Sequence, residues 1–140
     1  MKYLLEVKNT AEIREKASTF LSLFSQLQFF AFDGEMGAGK TTFIVSILQV
    51  LGIEEPEGSP TYSIINEYVT KNSENAYHLD CYRLKNGQEA LDLGLEELFE
   101  KQAWFFVEWA EKVDFLLPEN TIWVYIRTTE NETREISFEL

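Results

Sequence analysis

Cysteine, histidine and proline are scarce in this sequence, and it has no long apolar run. Its 140 residues include one cysteine, one histidine and three prolines. The single Cys81 excludes an internal disulfide, and the N-terminal stretch MKYLLEVK, interrupted by Glu6, lacks the apolar core of a signal peptide. No stretch approaches the ~20 apolar residues of a membrane-spanning helix. We therefore expect a soluble, cytoplasmic protein that does not enter a membrane.

Positive charge is also in short supply. Twelve Lys and Arg residues stand against 24 Asp and Glu residues, so the formal net charge is −12. Surfaces that bind nucleic acid concentrate basic residues, whereas these are scattered, and we expect no tight direct binding to RNA or DNA. An acidic, solvated surface is the favoured interpretation, and an acidic face for a basic partner protein stays open.

The composition and periodicity that remain are those of one ordered domain over residues 1–140, with 45% hydrophobic and 26% charged residues. Strand patterns alternate with helical ones, which predicts an α/β fold: a mixed sheet with a parallel core and antiparallel additions, flanked by helices. The expected elements are, in order, a strand at YLLEV, a helix from Thr10 capped by Asn9 or Thr10, a strand at FFAFD, a helix at KTTFIVSILQVL ending at Gly52, a hairpin of TYSIINEYV and AYHLDCYRL, a helical segment at GQEALDLGLEELFE broken at Gly94, a strand at AWFFVEW, and closing strands at TIWVYIRT and REISFEL.

The stretch GEMGAGKTT lies between the predicted strand FFAFD and the next helix. Gly34, Gly39, Lys40 and Thr41 match the Walker A pattern G-x-x-x-x-G-K-[ST]. In this motif the glycines let backbone N–H groups approach phosphate oxygens, the lysine reaches the β- and γ-phosphates, and the hydroxyl ligates Mg²⁺. The sequence therefore predicts a P-loop NTPase-like domain whose cofactors are a nucleoside triphosphate and Mg²⁺.

Two acidic residues are candidates to complete such a site. Glu108 ends the apolar strand pattern of AWFFVE, the position from which an acidic side chain holds or orients the metal. Asp80 could orient a water near the γ-phosphate. The two-residue period of a strand places His78, Asp80 and Tyr82 on one face of YHLDCYR. By itself the lone histidine indicates a structural residue, and the neighbouring Cys81 a small core residue.

Two further observations concern the reaction. Pro60 restrains Ser59 to an extended conformation and so presents Thr61 in a defined geometry, although a plain turn has the same pattern. None of the four arginines stands beside the loop in the sequence, and the guanine-reading [NT]-K-x-D and D-x-x-G elements are missing. Since an arginine finger is worth ~10³ or more in rate, we expect slow hydrolysis by the isolated chain and stimulation by a partner.

Four stretches in this order, GEMGAGKTTF, SPTYSIINEY, YHLDCYRL and FVEW, resemble the bacterial tRNA threonylcarbamoyladenosine biosynthesis ATPase family, the TsaE family. The resemblance extends from about Asn9 to Trp109. It implies ATP and Mg²⁺ as cofactors and an accessory ATPase that is required for threonylcarbamoyl modification of the adenosine next to the anticodon of tRNA. It also implies a protein complex as the partner, whose transferase subunits carry out the transfer.

The resemblance also implies roles for individual residues. Gly37, Ala38, Gly39, Lys40, Thr41 and Thr42 would bind the ATP phosphates, Thr41 and Glu108 would hold Mg²⁺, Thr61 and Asp80 would sense the γ-phosphate or its attacking water, and Asn9 and Thr10 would approach the base. His78, Tyr82, Arg83 and Trp109 match the family pattern without an assigned role. The chain departs from it at Glu35 and Met36, where Asp-Leu is common, and at Ala110, where proline is common.

Two alternatives to this ATPase stay open on the sequence alone. One is a small P-loop kinase of a nucleoside or metabolite, which would need an acceptor pocket and a lid with several arginines. The other is a module that binds nucleotide to set its shape, without significant turnover.

Overall fold

One seven-stranded sheet organises the computed structural model, which describes residues 1–58 and 64–140. The strands are β1 (Lys2–Val7), β2 (Phe29–Asp33), β3 (Ile65–Val69), β4 (Asn75–Asp80), β5 (Trp104–Glu108), β6 (Ile122–Thr128) and β7 (Arg134–Glu139). Their spatial order is β1-β7-β6-β2-β5-β4-β3. β2 pairs in parallel with both β5 and β6, and β4 pairs in parallel with β5, whereas β1–β7, β6–β7 and β3–β4 are antiparallel. The predicted mixed α/β fold is confirmed.

Within the described ranges, four α-helices and two 3₁₀ segments cover the two faces of the sheet. The helices are α1 (Ile13–Ser22), α2 (Lys40–Val50), α3 (Gly87–Asp92) and α4 (Leu95–Leu98), and the 3₁₀ segments span Thr10–Glu12 and Ala110–Leu116. Among the described residues, no helix is both long and apolar enough to cross a bilayer.

The central strands are apolar on both faces, as expected for strands covered on both sides. Alternate residues of β2 serve two separate clusters: Phe30 and Phe32 pack with α1 and α2, while Phe29 and Ala31 pack with the α3, α4 and Ala110–Leu116 side. The edge strand β1 instead alternates exposed and partly buried residues. The parallel centre is therefore the most deeply buried part of the sheet, and its carboxyl ends open toward the loop after β2.

Most predicted elements are confirmed, including the β3–β4 hairpin and the helical break at Gly94. The capping prediction is wrong. The chain enters α1 through the 3₁₀ turn Thr10–Glu12, and the Asn9 side chain makes no capping hydrogen bond. The Glu12 side chain makes the hydrogen bond at this turn instead, since its Oε2 accepts from the Lys8 backbone N–H at 2.9 Å.

Two further differences lie beside the loop. β4 ends at Asp80 rather than continuing through Leu84, since Cys81 N donates to Glu108 O at 3.1 Å and the chain then turns. The segment Ala110–Leu116, which the sequence left without a predicted element, is 3₁₀. It is too short and irregular to show a clear helical period.

Candidate functional site

The loop between β2 and α2 has the backbone that the Walker A pattern predicts. Gly39 directly precedes α2 and has φ of +102°, a conformation that L side chains rarely adopt. Gly34 is required for a different reason, because a Cβ there would lie 2.6 Å from the Ile126 carbonyl oxygen. The loop therefore passes close to β6 and ends at the N-terminus of α2, where helix N–H groups favour an anion.

Lys40, the first residue of α2, points back into this loop. Its side chain is buried, with 5% relative exposure. Nζ donates a hydrogen bond to the Gly34 carbonyl oxygen at 2.5 Å and lies 3.7 Å from the centroid of the Trp109 ring. A buried ammonium group in contact with a carbonyl and a ring face keeps donor capacity for an anion entering the loop.

Thr41 and Glu108 meet at the carboxyl end of β5. Thr41 Oγ1 lies 2.8 Å from Glu108 Oε1 and 2.9 Å from Oε2. The Glu108 carboxylate is 2% exposed and is also 2.7 Å from the Nε2 atom of His78, which is fully buried on β4. A hydroxyl from α2 and a carboxylate from β5 are thus held at one point, which the parallel pairing of β2 with β5 makes possible because α2 follows β2.

This pair fits the requirements of a magnesium ion. Mg²⁺ takes hard oxygen ligands at 2.0–2.1 Å in an octahedron, so adjacent ligands stand about 2.9 Å apart. The Thr41 and Glu108 oxygens have that spacing. In the part of the chain that the structure describes, no group of three or more His, Cys, Asp or Glu side chains is arranged to hold a metal ion. Phosphate oxygens and water would therefore have to supply the remaining ligands.

Asp80 lies beside this pair, as the sequence predicted. It is the last residue of β4 and stands opposite Glu108 in the parallel register. Its Oδ1 accepts a hydrogen bond from Tyr82 N at 3.0 Å. Asp80, Lys40, Thr41 and Glu108 line one cleft of about 340 Å³. Four residues from three segments of the sequence therefore share a single opening.

The predicted shared face of YHLDCYR is right for its strand part and needs correction at Tyr82. Because β4 ends at Asp80, Tyr82 reaches the cleft from the following turn, and its ring lies 5.0 Å from that of Trp109. Arg83 lies in the same turn. Cys81 is fully buried on the opposite side, as predicted. Burial first, and then the charges of Asp80 and Glu111, raise the pKa of the Cys81 thiol from 9.0 to about 12.

A second cleft, of about 200 Å³, adjoins the loop on the side of β1 and β7. Asn9 and Thr10 line it together with Gly39 and Thr42. Ala38 is buried and also lines this cleft, whereas Gly37 borders the cleft of Lys40. The residues that the resemblance assigns to the base and the phosphates are therefore neighbours. Thr61 lies outside the described residues.

Arg134 is the site residue that the sequence analysis missed, and the expectation that no arginine stands beside the loop is wrong. Its Nη1 donates to the Gly37 carbonyl oxygen at 2.7 Å and to Thr128 Oγ1 at 3.1 Å. Arg134 lines both the cleft of Lys40 and the cleft of Asn9. It lies 97 residues after Gly37, and only the pairing of β7 with β6 and β1 brings it there.

The two departures from the family pattern lie at the surface of the loop and in the core. Glu35 and Met36 are exposed, and Met36 lines the cleft of Lys40. Ala110 is fully buried and opens the 3₁₀ segment after Trp109.

Comparison with known proteins agrees with this geometry. The family model described as "Threonylcarbamoyl adenosine biosynthesis protein TsaE" matches residues 7–136. The tRNA threonylcarbamoyladenosine biosynthesis protein TsaE of Bacillus subtilis is 40% identical over 106 residues, which is 76% of this chain and 65% of the relative. The protein of the same name from Haemophilus influenzae is 35% identical over 119 residues, 85% of this chain and 72% of the relative.

A solved structure extends the comparison to the fold. The crystal structure of Bacillus subtilis YdiB superposes with a TM-score of 0.79 at 29% sequence identity, covering 99% of this chain and 84% of that one. The chain spans less than two thirds of the length of the Bacillus relative matched by sequence, but nearly all of it matches the family model. The chain therefore belongs to the TsaE family of threonylcarbamoyl adenosine biosynthesis proteins.

Proposed function

We propose that this chain is a Mg²⁺-dependent ATPase, a single P-loop domain that serves the threonylcarbamoyl modification of the adenosine next to the anticodon in tRNA. It acts on the protein complex whose subunits carry out the transfer and does not perform the transfer itself. The observation that carries the ATPase proposal is the junction of Lys40, Thr41 and Glu108 at one cleft. A glycine turn without a ligand has no need of a buried lysine directed into it.

The residues of the two clefts bind different parts of the nucleotide. The loop from Gly37 to Thr42 and the N-terminus of α2 bind the phosphates, with Lys40 moving its Nζ donors from Gly34 O and the Trp109 face to phosphate oxygens. Asn9 and Thr10 border the base. Arg134 touches the loop and lines both clefts, so it adds a positive charge between the base and the phosphates of the nucleotide.

Thr41 and Glu108 would hold the magnesium ion. The threonine hydroxyl can turn a lone pair to the metal while its hydrogen still donates to the carboxylate. Bound Mg²⁺ neutralises charge on the phosphate oxygens during transfer. Asp80, at the mouth of the same cleft, has a carboxylate oxygen available to orient the attacking water, and Thr61 is its proposed companion at the γ-phosphate.

Slow turnover by the isolated chain and stimulation by the partner complex are part of this proposal. The argument from the lack of an arginine beside the loop no longer holds, because Arg134 lies there. A second argument comes from Asp80, whose Oδ1 accepts a hydrogen bond from Tyr82 N in the chain alone, which leaves one carboxylate oxygen for a water. Contact of a partner with the exposed Tyr82 would free the other oxygen.

The enzymatic part is tested by measuring phosphate release by the purified protein, alone and with the threonylcarbamoyl-transferase complex of the same organism. We expect slow release alone, faster release with the complex, and release lowered by about 10²–10³-fold with Lys40→Ala. Lys2→Ala, at the exposed first residue of β1, is the matched control and should behave as the unmodified protein. Nucleotide binding without release under any condition would replace the ATPase with a nucleotide-gated module.

The biological part needs a separate measurement, the threonylcarbamoyladenosine content of tRNA after depletion of this protein. The content should fall, and expression of the unmodified protein, but not of Lys40→Ala, should restore it. An unchanged content would remove the assignment to this modification even if the ATPase activity were established.

A further inference from the structure

The His78 side chain has no role in the function proposed so far, although it is buried in contact with Glu108. It is 0% exposed, and its Nε2 lies 2.7 Å from Glu108 Oε2. A carboxylate can only accept, so the hydrogen of this bond belongs to Nε2. Among the described residues, His78 Nδ1 is the buried side-chain nitrogen or oxygen that lacks a hydrogen-bond partner. Burying an unpaired polar atom costs free energy, which a phenylalanine or leucine would avoid at this position.

The contacts of Glu108 indicate why a histidine occupies this position despite its cost in free energy. Thr41 Oγ1 stands nearly equidistant from the two carboxylate oxygens, at 2.8 Å and 2.9 Å, and it has one hydrogen to donate. Thr41 alone therefore does not distinguish the two oxygens, since a half-turn of the carboxylate about its last bond would exchange them. The hydrogen bond from His78 holds Oε2 from the side of β4, so the orientation of the carboxylate is set from two directions.

The backbone supports the same arrangement. β4 and β5 are parallel, with Asp80 opposite Glu108 and His78 two residues earlier on the same face of β4. Cys81 N donates to the Glu108 carbonyl oxygen at 3.1 Å, which fixes the position of residue 108 relative to β4. The imidazole thus lies behind the carboxylate, on the side away from the open cleft, and has no route to the phosphates.

We infer that His78 is a positioning residue for the metal site: its Nε2–H orients the Glu108 carboxylate so that an oxygen stays beside Thr41 and available to Mg²⁺. The inference rests on the proposed function in one respect, the role of Glu108 at the metal. Partners that orient a metal-ligating group typically change metal affinity or activity by 10–100-fold when they are removed.

Three variants separate positioning from packing. His78→Leu places an apolar side chain of similar bulk at this position and removes the donor. His78→Gln places an amide N–H close to the position of Nε2. Leu79→Ala is the matched control, because Leu79 is the fully buried neighbour on β4 that faces the other side of the sheet.

The first readout is the Mg²⁺ concentration that gives half-maximal phosphate release. We expect His78→Leu to raise it about tenfold or more and His78→Gln to restore most of the loss. Leu79→Ala should lower the unfolding temperature without moving the Mg²⁺ requirement. The affinity for ATP measured in EDTA should stay unchanged in both His78 variants, since the imidazole does not reach the nucleotide.

The second readout does not depend on turnover. Mn²⁺ binding to the protein with a non-hydrolysable ATP analogue is followed by electron paramagnetic resonance, with Glu108→Gln as the reference for a lost ligand. We expect His78→Leu to weaken Mn²⁺ binding in the same direction as Glu108→Gln and by less. If His78→Leu does not fold, His78→Phe removes the same donor and takes its place in the comparison.

The outcomes distinguish this inference from the proposed function. Absence of phosphate release by the unmodified protein would overturn the ATPase proposal, while Mn²⁺ binding would still decide on His78. Equal metal affinity in His78→Leu and Leu79→Ala would overturn the positioning role and leave the ATPase intact. Unchanged Mn²⁺ affinity in Glu108→Gln would overturn both the metal role of Glu108 and the inference built on it.

Discussion

The middle of the parallel strands and their carboxyl ends are only two or three residues apart, yet they are stabilised in different ways. In the middle, Phe30 is fully buried and its ring lies 5.0 Å from that of Phe20, 5.1 Å from Phe24 and 5.6 Å from Phe106. These contacts are many, individually weak and non-directional. The core therefore depends on total volume and burial more than on any one atom.

At the carboxyl ends, buried polar side chains lie among the apolar ones, namely Lys40, His78 and Glu108. Each has few contacts, and those are directional, such as the bond of 2.7 Å from His78 to Glu108. Burying polar groups costs free energy unless they are paired, so these residues contribute little net stability. The comparison indicates that the core determines whether the chain folds, whereas the strand ends determine what it binds. Substitutions in the two regions should separate stability from activity.

The largest effect is expected in the core. Phe30→Ala should lower the free energy of unfolding by about 3–5 kcal/mol, because it removes a ring from the centre of an aromatic cluster. Urea denaturation measures this, with Phe115→Ala as the control at a phenylalanine that is 55% exposed. Phosphate release per folded molecule should be retained. A loss of activity in molecules that remain folded would show that core and site are not separable.

The converse substitution is Lys40→Ala, which should lower phosphate release by about 10²–10³-fold, the cost of losing one charged donor at a transferring group. Its free energy of unfolding without nucleotide should change far less than that of Phe30→Ala. A phosphate-release assay measures the first quantity, and thermal unfolding with and without Mg²⁺ and ATP measures the second together with stabilisation by the nucleotide. Stabilisation by nucleotide equal to that of the unmodified protein would contradict the proposed role.

Arg134→Ala should have a smaller effect, roughly a tenfold loss of nucleotide affinity or phosphate release, equivalent to about 1.4 kcal/mol. Arg134 lies at the rim and touches the loop through Gly37 O, so it assists a site that is otherwise complete. Titration with a fluorescent ATP analogue measures the affinity. Arg14→Ala, on the exposed face of α1, is the control and should show no change.

The smallest effect concerns Cys81, on the other side of β4. Burial raises the pKa of its thiol to about 12, whereas the unfolded chain loses that proton near 9.0. Between these values the folded state binds more protons, so the Cys81 contribution to stability is complete below about pH 9 and is lost as pH approaches 12. Urea denaturation of the protein and of Cys81→Ala across this range measures the difference. Parallel curves would contradict the assigned burial.

The sequence alone predicted a large part of the fold, for identifiable reasons. The stretch FFAFD is apolar over its first four residues and lies directly before a glycine-rich loop, and both features favour a buried strand. The Asn9 cap failed because a side-chain cap depends on the entry angle of the chain, and here Glu12 satisfies a backbone donor instead. The end of β4 was also missed, since the bond from Cys81 N to Glu108 O joins residues 27 positions apart.

The site, like the fold, was predicted only in part from the sequence. Lys40 and Thr41 follow from the spacing of one motif, Glu108 follows from its place at a strand end, and Asp80 follows from the strand face that it shares with His78. Arg134 had no local signal, because a single arginine at the start of an antiparallel strand is ordinary. His78 had a signal in its position two residues before Asp80, but the same pattern suits a structural histidine.

The sequence by itself determined the phosphate loop, the alternation of strands and helices and the family, because these depend on residue types at short spacing. Only the tertiary structure decided how distant side chains meet at the loop: the parallel pairing of β2 with β5 brings the predicted Glu108 there, the pairing of β5 with β4 adds His78, and the antiparallel return of β7 adds Arg134. Strand order sets these distances, and strand order is a property of the folded sheet rather than of any segment within it.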